Sequence, residues 1–190
     1  MPFYYTHAGT ALQKLNTSGT ITTLTLPTGT SVLSSRRGRF ATLNRYVVFV
    51  NAGTINLAID TLDDTVRPLV PYAPATPPLA AASSGAGALT GSYKARYTFV
   101  IKDSTGKLIA ESAMSPESLS VSLTSKKLNL TGIETYDPNE DINARRLYRT
   151  TAGGSVYFHW RDLDGNVQTS MEDDLADASL GLIAAPTGLG

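Results

Sequence analysis

The sequence predicts an all-β protein, and three observations lead to that prediction. Short apolar segments that alternate with polar residues recur along the chain, and clusters rich in Gly, Pro, Asn and Asp separate them. Helical periodicity appears only over Met171–Leu180. With 190 residues, the chain is long enough for one large core or two small ones.

The N-terminal region, residues 1–66, reads as a β-meander. Its predicted strands are Leu12–Leu15, Thr20–Leu26, Tyr46–Val50 and Ile55–Ile59. Tyr46–Val50 is apolar at every position, which predicts a strand covered on both faces, whereas Ile55–Ile59 alternates and predicts one wet face. The turn residues Asn51–Thr54 join these two strands into a predicted hairpin.

Residues 67–90 are predicted to form a linker between two domains. The first half is expected to be stiff and extended because it contains five prolines, Pro68, Pro71, Pro74, Pro77 and Pro78. The second half, Ala80–Gly87, consists of Ala, Ser and Gly and is expected to be loose.

Residues 91–183 predict a β-sandwich of the immunoglobulin or fibronectin type III kind. About six short strands with turns between them fit into some ninety residues, as in such sandwiches. The alternation places one residue set in the predicted core: Tyr97, Phe99, Val121, Leu147, Phe158 and Trp160. Residues 184–190 read as a C-terminal tail that leads toward further structure.

Composition restricts the function classes. Sixteen basic and sixteen acidic residues balance, so no net charge attracts the whole molecule to nucleic acid or to an anionic membrane. The absence of cysteine excludes disulfides, thiolate nucleophiles and cysteine-ligated metals. The sequence shows neither a signal peptide pattern nor a long apolar span, so we expect synthesis in a cytosol and no membrane partner.

No catalytic, cofactor or metal site is predicted. His7 and His159 lie far apart and are interpreted as surface or half-buried residues. Asp162–Asn166 resembles part of a calcium loop, but Asp-Gly between two alternating segments already indicates a hairpin turn. The acidic runs Asp137–Asp141 and Glu172–Asp174 are interpreted as solvated.

Two arginine clusters are the candidate interface residues: Arg36, Arg37 and Arg39 in the first, and Arg145, Arg146 and Arg149 in the second. Either can contact DNA phosphates or pair with the acidic loops, and the sequence leaves both readings open. If Leu147 faces the core, Arg146 and Tyr148 share the outer face of their strand. Tyrosine and arginine are enriched at protein interfaces, so we expect a contact surface there.

The second half of the chain resembles the fibronectin type III-like domain of many tailed-phage virion proteins. The segments that carry the resemblance are Tyr97–Val100, Glu111–Pro116, Arg145–Thr150, Gly153–Gly154, Tyr157–Phe158, Thr169–Asp173 and Leu180–Gly181. The N-terminal region is more loosely similar to the opening blades of propeller-like phage tail proteins, in which such a sandwich is inserted.

The resemblance implies a virion structural protein that forms a homo-oligomeric ring in the tail, nozzle or head-to-tail joint. It carries over no catalytic residue and no cofactor. Expected partners are other virion proteins, with non-specific DNA contact in a lumen as a further expectation. A cell-surface or secreted adhesion module that binds carbohydrate or a receptor is the alternative.

Overall fold

The computed structural model describes residues 4–27, 30–43, 45–51, 56–136 and 141–181. The chain divides into two compact units, Met1–Val70 and Pro71–Gly190, called unit 1 and unit 2 below. About half of the chain, 51%, lies in strands and 2% in helix, so the all-β prediction is confirmed.

Unit 1 contains two antiparallel sheets whose strands are consecutive in sequence. The first comprises β1 (Tyr4–Ala8), β2 (Ala11–Leu15) and β3 (Ile21–Thr23), and the second comprises β4 (Arg39–Leu43), β5 (Tyr46–Val50), β6 (Leu57–Asp60) and β7 (Val66–Pro68). Consecutive pairing is the arrangement of a meander, as predicted. The apolar core of unit 1 is formed by Leu12, Leu24, Val32, Val47, Phe49, Leu57, Ile59 and Val66.

The burial of the predicted hairpin strands is the reverse of the expectation. β5 and β6 do pair antiparallel, although the predicted turn at 52–54 lies outside the described residues. β5 alternates between buried and half-buried positions, whereas β6 is buried at all four positions. The second face of β6 is covered at both of its positions. The small Ala58 pairs across the sheet with Arg67, and the Asp60 carboxylate forms ion pairs with Arg45 and Arg67.

Unit 2 contains a four-stranded and a three-stranded antiparallel sheet that share one core. The strand orders are β10-β9-β12-β13 and β14-β11-β8. The bounds are β8 (Leu79–Tyr93), β9 (Ala95–Lys102), β10 (Leu108–Glu111), β11 (Val121–Thr131), β12 (Ala144–Thr150), β13 (Tyr157–Asp164) and β14 (Met171–Asp173). Apolar side chains of both sheets meet in a single cluster, which is sandwich-like packing.

The predicted core of unit 2 is correct for most of its members. Tyr97, Phe99 and Leu147 are buried, and Val121 and Trp160 are partly buried against them. Phe158 is half-buried and lies outside this cluster. It stands opposite Arg149, whose ion pairs fill the space between the sheets at that end.

The predicted loose half of the linker is wrong, because residues 79–90 belong to the long strand β8. This strand pairs with β11 over its length, with two register irregularities. The glycines allow close approach rather than looseness: a Cβ on Gly87 would lie 2.5 Å from the backbone carbonyl carbon of Lys126. The boundary of the two units, between Val70 and Pro71, falls inside the predicted linker segment.

The proline-rich half of that segment is attached to unit 2. The backbone N–H groups of Ala75 and Thr76 donate to the Glu134 carboxylate over 2.9 and 3.1 Å, and the Tyr97 hydroxyl donates to the Thr76 carbonyl over 2.9 Å. A segment whose backbone donors are satisfied in this way is part of the fold.

Three serines spaced three residues apart run along the edge of β9 beyond β10. Ser112, Ser115 and Ser118 are each nearly fully buried. Their backbone N–H groups donate to the carbonyls of Phe99, Tyr97 and Ala95, and their hydroxyls accept from the N–H groups of the same three residues. This serine ladder therefore satisfies both the donors and the acceptors of alternate β9 residues without a regular strand.

The helical periodicity of Met171–Leu180 does not produce an α-helix. Residues 171–173 form β14, and Asp177–Ser179 forms a single 3-10 turn. In the described part of the chain, no helix has the length and apolar character that a membrane crossing requires.

Candidate functional site

The predicted interface residues of β12 are mostly inside the protein. Arg145, Tyr148 and Arg149 have 0–1% of their surface exposed. The side chain of Arg146 is 14% exposed. These side chains therefore leave little exposed surface on β12 for the predicted contact.

Arg149 is the center of an ion network between the sheets. Its Nε donates to the Asp173 carboxylate and its Nη1 donates to Asp177 over 2.6 Å. The guanidinium carbon also lies 5.3 Å from the center of the Tyr93 ring. Burial raises the pKa of Asp173 although Arg149 acts in the opposite direction. The sequence left two interpretations of this arginine cluster, contact with DNA phosphates and ion pairing with acidic residues. The contacts of Arg149 are ion pairs with acidic residues.

Arg145 is buried among carbonyl oxygens rather than carboxylates. Its Nη1 and Nη2 donate to the carbonyls of Glu134 and Gly165 over 3.3 and 3.0 Å, and its guanidinium carbon lies 5.9 Å from the center of the Tyr136 ring. Burial lowers the pKa of this guanidinium. The residue therefore ties the segments around Glu134 and Gly165 to the sheet.

Arg146 and Tyr148 do share the outer face of β12, but neighbouring side chains cover them. Arg146 binds Asp162 through two nitrogens, at 2.9 and 3.2 Å, and the Tyr148 hydroxyl donates to Glu111. Burial, followed by the hydrogen bond to Glu111, raises the pKa of Tyr148. His159 lies half-buried beside Tyr148, with ring centers 5.8 Å apart.

The calcium reading of Asp162–Asn166 has no geometric support. Lys102 Nζ lies 2.8 Å from carboxylate oxygens of both Asp162 and Asp164, so an ammonium group already occupies the space between them. Burial alone would raise the pKa of Asp162. The hydrogen bonds from His159, Arg146 and Lys102 outweigh burial, so the pKa of Asp162 is lowered. Within the described ranges, no group of His, Asp and Glu is arranged to hold a metal ion.

The first arginine cluster, in contrast, is exposed. Arg36, Arg37 and Arg39 follow one another in the loop before and at the start of β4, and all three are exposed. We call residues 34–39 the arginine loop. Within the described residues, no carboxylate lies within ion-pair distance of these three side chains.

The charge count of unit 1 explains why the arginine loop has no acidic partner. Residues 1–70 contain six basic residues and three acidic ones, a surplus of three positive charges. Lys14 pairs with Asp64 at 2.7 Å, and Asp60 pairs with Arg45 and Arg67 at 2.6 and 3.4 Å. The arginine loop therefore carries the uncompensated charge of the unit.

The arginine loop borders an open cavity of about 420 Å³, called the arginine pocket below. Its lining includes His7, Ser34, Ser35, Arg36, Arg37 and Phe40. His7 Nε2 lies 2.7 Å from the Gly9 carbonyl oxygen. A carbonyl only accepts hydrogen bonds, so Nε2 carries the hydrogen in this contact.

Two contacts fix the arginine loop on the core. The Asn51 side-chain amide donates to the Leu33 carbonyl over 2.9 Å, immediately before the loop. Near its other end, a Cβ on Gly38 would lie 2.1 Å from the buried Phe49 ring, so only glycine fits there. The same ring lies 5.5 Å from His7 and 4.8 Å from Phe40. Phe49 thus holds three walls of the pocket together.

Sequence reasoning identified the arginines of this pocket but not its other members. His7 lies on β1, far from the loop in sequence, and only the packing of both segments on Phe49 brings them together. Compared with models of known protein families and with curated protein sequences, the chain gives no match.

Proposed function

We propose that this protein is a non-enzymatic structural component of a tailed-phage virion that assembles as a ring in the tail, nozzle or head-to-tail joint. The sequence resemblance of unit 2 suggests the virion. The observation that supports assembly is the exposure of large apolar side chains at two opposite ends of the four-stranded sheet of unit 2.

One end lies where β12 finishes. Thr150 pairs there with Tyr157, the first residue of β13, and Ser118 bonds to Ala95, the first residue of β9. The next residues outward are Val156, which is 52% exposed, and Leu119, which is 87% exposed. We call these two residues the first apolar end.

The other end lies where β12 begins. Ala144 pairs there with Val100 and Asp164. Val167, three residues beyond Asp164, is 95% exposed, and Ile109 on β10 is 64% exposed. We call these two residues the second apolar end. The seven residues of β12 separate the two ends by roughly 20 Å at about 3.3 Å per residue.

Two different sets of exposed apolar side chains at opposite ends of one unit suit head-to-tail association. In such a heterologous contact, one surface of each copy meets a different surface of the next, and the chain of contacts closes into a ring when the rotation allows it. Burial of exposed apolar surface supplies the free energy.

Two charged substitutions test this arrangement. Leu119→Glu disables the first apolar end and Val167→Glu disables the second, and each side chain is too exposed for the change to disturb folding. We expect each variant alone to lose higher oligomers in sedimentation velocity. An equimolar mixture should form pairs only, because one intact end of each variant remains.

Matched controls add the same charge next to the two apolar ends. Ser120→Glu and Gln168→Glu change exposed polar positions beside Leu119 and Val167, so both variants should assemble like the unmodified chain. If the purified chain stays monomeric, the same variants are tested on particles assembled without this protein. The unmodified chain should bind to these particles. Normal incorporation of the Leu119→Glu and Val167→Glu variants would refute the proposal.

A further inference from the structure

Arg36 and Arg37 place two guanidinium groups at one cavity without an acidic neighbour in its lining. The lining residues include no Asp and no Glu. Tyr5 also borders the pocket, but its hydroxyl already donates to Asp64 over 3.1 Å. Two adjacent cations that lack counter-charges in an open pocket attract an anion, and the surplus charge of unit 1 favours the same ligand.

The donors around the pocket match an oxyanion with more than two oxygens. Each guanidinium offers a planar fork of N–H donors, and Ser34 and Ser35 add hydroxyl groups. A carboxylate presents two oxygens, whereas a phosphate presents three or four and can accept from several of these groups together.

Phe40 gives the pocket an aromatic wall. Its side chain is 36% exposed, and its ring rests on the buried Phe49 ring with centers 4.8 Å apart, so the exposed part is held in place. Aromatic faces beside cationic groups are the combination with which proteins stack the bases of flexible nucleotides. The cavity of about 420 Å³ is large enough for more than a phosphate ion.

We propose that the arginine pocket binds a nucleotide, with the phosphate on Arg36 and Arg37 and the base against Phe40. The nucleotide is either free or part of a single strand, since both present the same phosphate and base. The site lies in unit 1 and is independent of the ring contacts proposed for unit 2.

The position of Gly38 supports a preformed site. Because this glycine packs on Phe49, the arginine loop has a defined place before any ligand arrives, and little ordering cost opposes binding. The loop is anchored on the same ring that supports Phe40 and His7. Both halves of the proposed ligand therefore meet groups fixed to one rigid base.

The test titrates the full chain with thymidine 5′-monophosphate, with a twelve-residue thymidine oligonucleotide and with inorganic phosphate. NMR shifts of the His7 ring protons and of the 34–40 amides report binding at the pocket. At about 0.15 M salt, where charges further apart than about 8 Å are screened, Arg36→Gln with Arg37→Gln should weaken binding of both nucleotides at least tenfold. Phe40→Ala should weaken nucleotide binding about fivefold or more and leave inorganic phosphate unchanged.

Arg39→Gln is the matched control, because Arg39 is exposed in the same loop but does not line the pocket. Its binding of thymidine 5′-monophosphate should stay within twofold of the unmodified chain. An equal loss with Arg39→Gln would show diffuse attraction and overturn the site. The site would also be overturned if the NMR shifts did not change at His7 and the arginine loop, or if neither nucleotide bound at millimolar concentration. Binding of phosphate that equals nucleotide binding and ignores Phe40→Ala would overturn the role of the base. A stronger response to the oligonucleotide than to the monophosphate identifies a single strand as the source.

Discussion

Arg149 and Asp173 form an ion pair in which both side chains are buried, with 0% and 1% of their surface exposed. The pair joins β12 of one sheet to β14 of the other. Asp173→Asn leaves the buried Arg149 with only the partly exposed Asp177 as a charged partner, so it should lower the free energy of unfolding by about 3 kcal/mol. Replacing both, as Arg149→Met with Asp173→Leu, should cost less than Asp173→Asn alone. Urea unfolding followed by Trp160 fluorescence measures both effects.

The surface pair of Lys94 and Glu117 provides the comparison. Its side chains are 41% and 35% exposed, so Lys94→Met should change stability by no more than about 1 kcal/mol. A loss of stability as large as that of Asp173→Asn would show that burial does not set the strength of these ion pairs.

The serine ladder predicts a stability effect from the loss of one hydroxyl. Ser115→Ala removes the acceptor of the Tyr97 N–H, which is buried, and should cost about 1–3 kcal/mol. The Tyr97 amide should also exchange its hydrogen faster. Ser122→Ala, at an exposed position of β11, should stay within about 0.5 kcal/mol. Equal effects of the two substitutions would mean that the ladder is not structural.

Two glycines of β8 form a matched pair. A Cβ on Gly87 would lie 2.5 Å from the backbone of Lys126 and Lys127, whereas a Cβ on Gly85 would meet nothing within 4 Å. Gly87→Ala should therefore destabilise unit 2 by about 1–3 kcal/mol through overpacking. Gly85→Ala should stay within about 0.5 kcal/mol. Similar stabilities of both variants in urea would show that β8 does not approach β11 so closely.

The tyrosines predict a loss of stability in alkali. Burial, with hydrogen bonds to Asp64 and Glu117, raises the pKa of Tyr5 and of Tyr157 to about 12. An unfolded tyrosine titrates near 10, so the folded state holds these protons more tightly. Their contribution to stability is complete below about pH 10 and is lost as the pH rises toward 12.

Stability measured in urea at several pH values checks this expectation, and tyrosinate absorbance at 295 nm reports the ionisation. Tyr157→Phe should show a smaller decline between pH 10 and 12 than the unmodified chain. If the stability of Tyr157→Phe declines by the same amount as that of the unmodified chain, groups other than Tyr157 cause the loss.

The sequence predicted the pattern of strands but not what lies on each side of them. The alternation over Tyr93–Ile101 correctly placed Tyr97 and Phe99 in the core. It could not show that Arg145 and Arg149 share that inner face, because their burial depends on carbonyls and carboxylates from distant segments. The Ala80–Gly87 stretch was misread as loose because small residues serve both flexible chains and closely packed strands. Only the position of Lys126 distinguishes these cases.

At the candidate site, too, the sequence shows some members and only the packing shows the others. The adjacent arginines 36 and 37 are visible in the sequence. The participation of His7 and Phe40 depends on a single shared neighbour, Phe49, whose contacts no local pattern encodes.

The uneven distribution of charge has a practical consequence for handling the protein. Unit 1 holds six basic and three acidic residues, which leaves ten basic and thirteen acidic residues for unit 2. The isoelectric point of the whole chain, about 6.7, therefore describes neither unit. If the chain is cut near residue 70, the two fragments should separate on ion exchangers at neutral pH, with unit 1 retained by a cation exchanger and unit 2 by an anion exchanger. The uncut chain should bind to either resin through the unit of opposite charge.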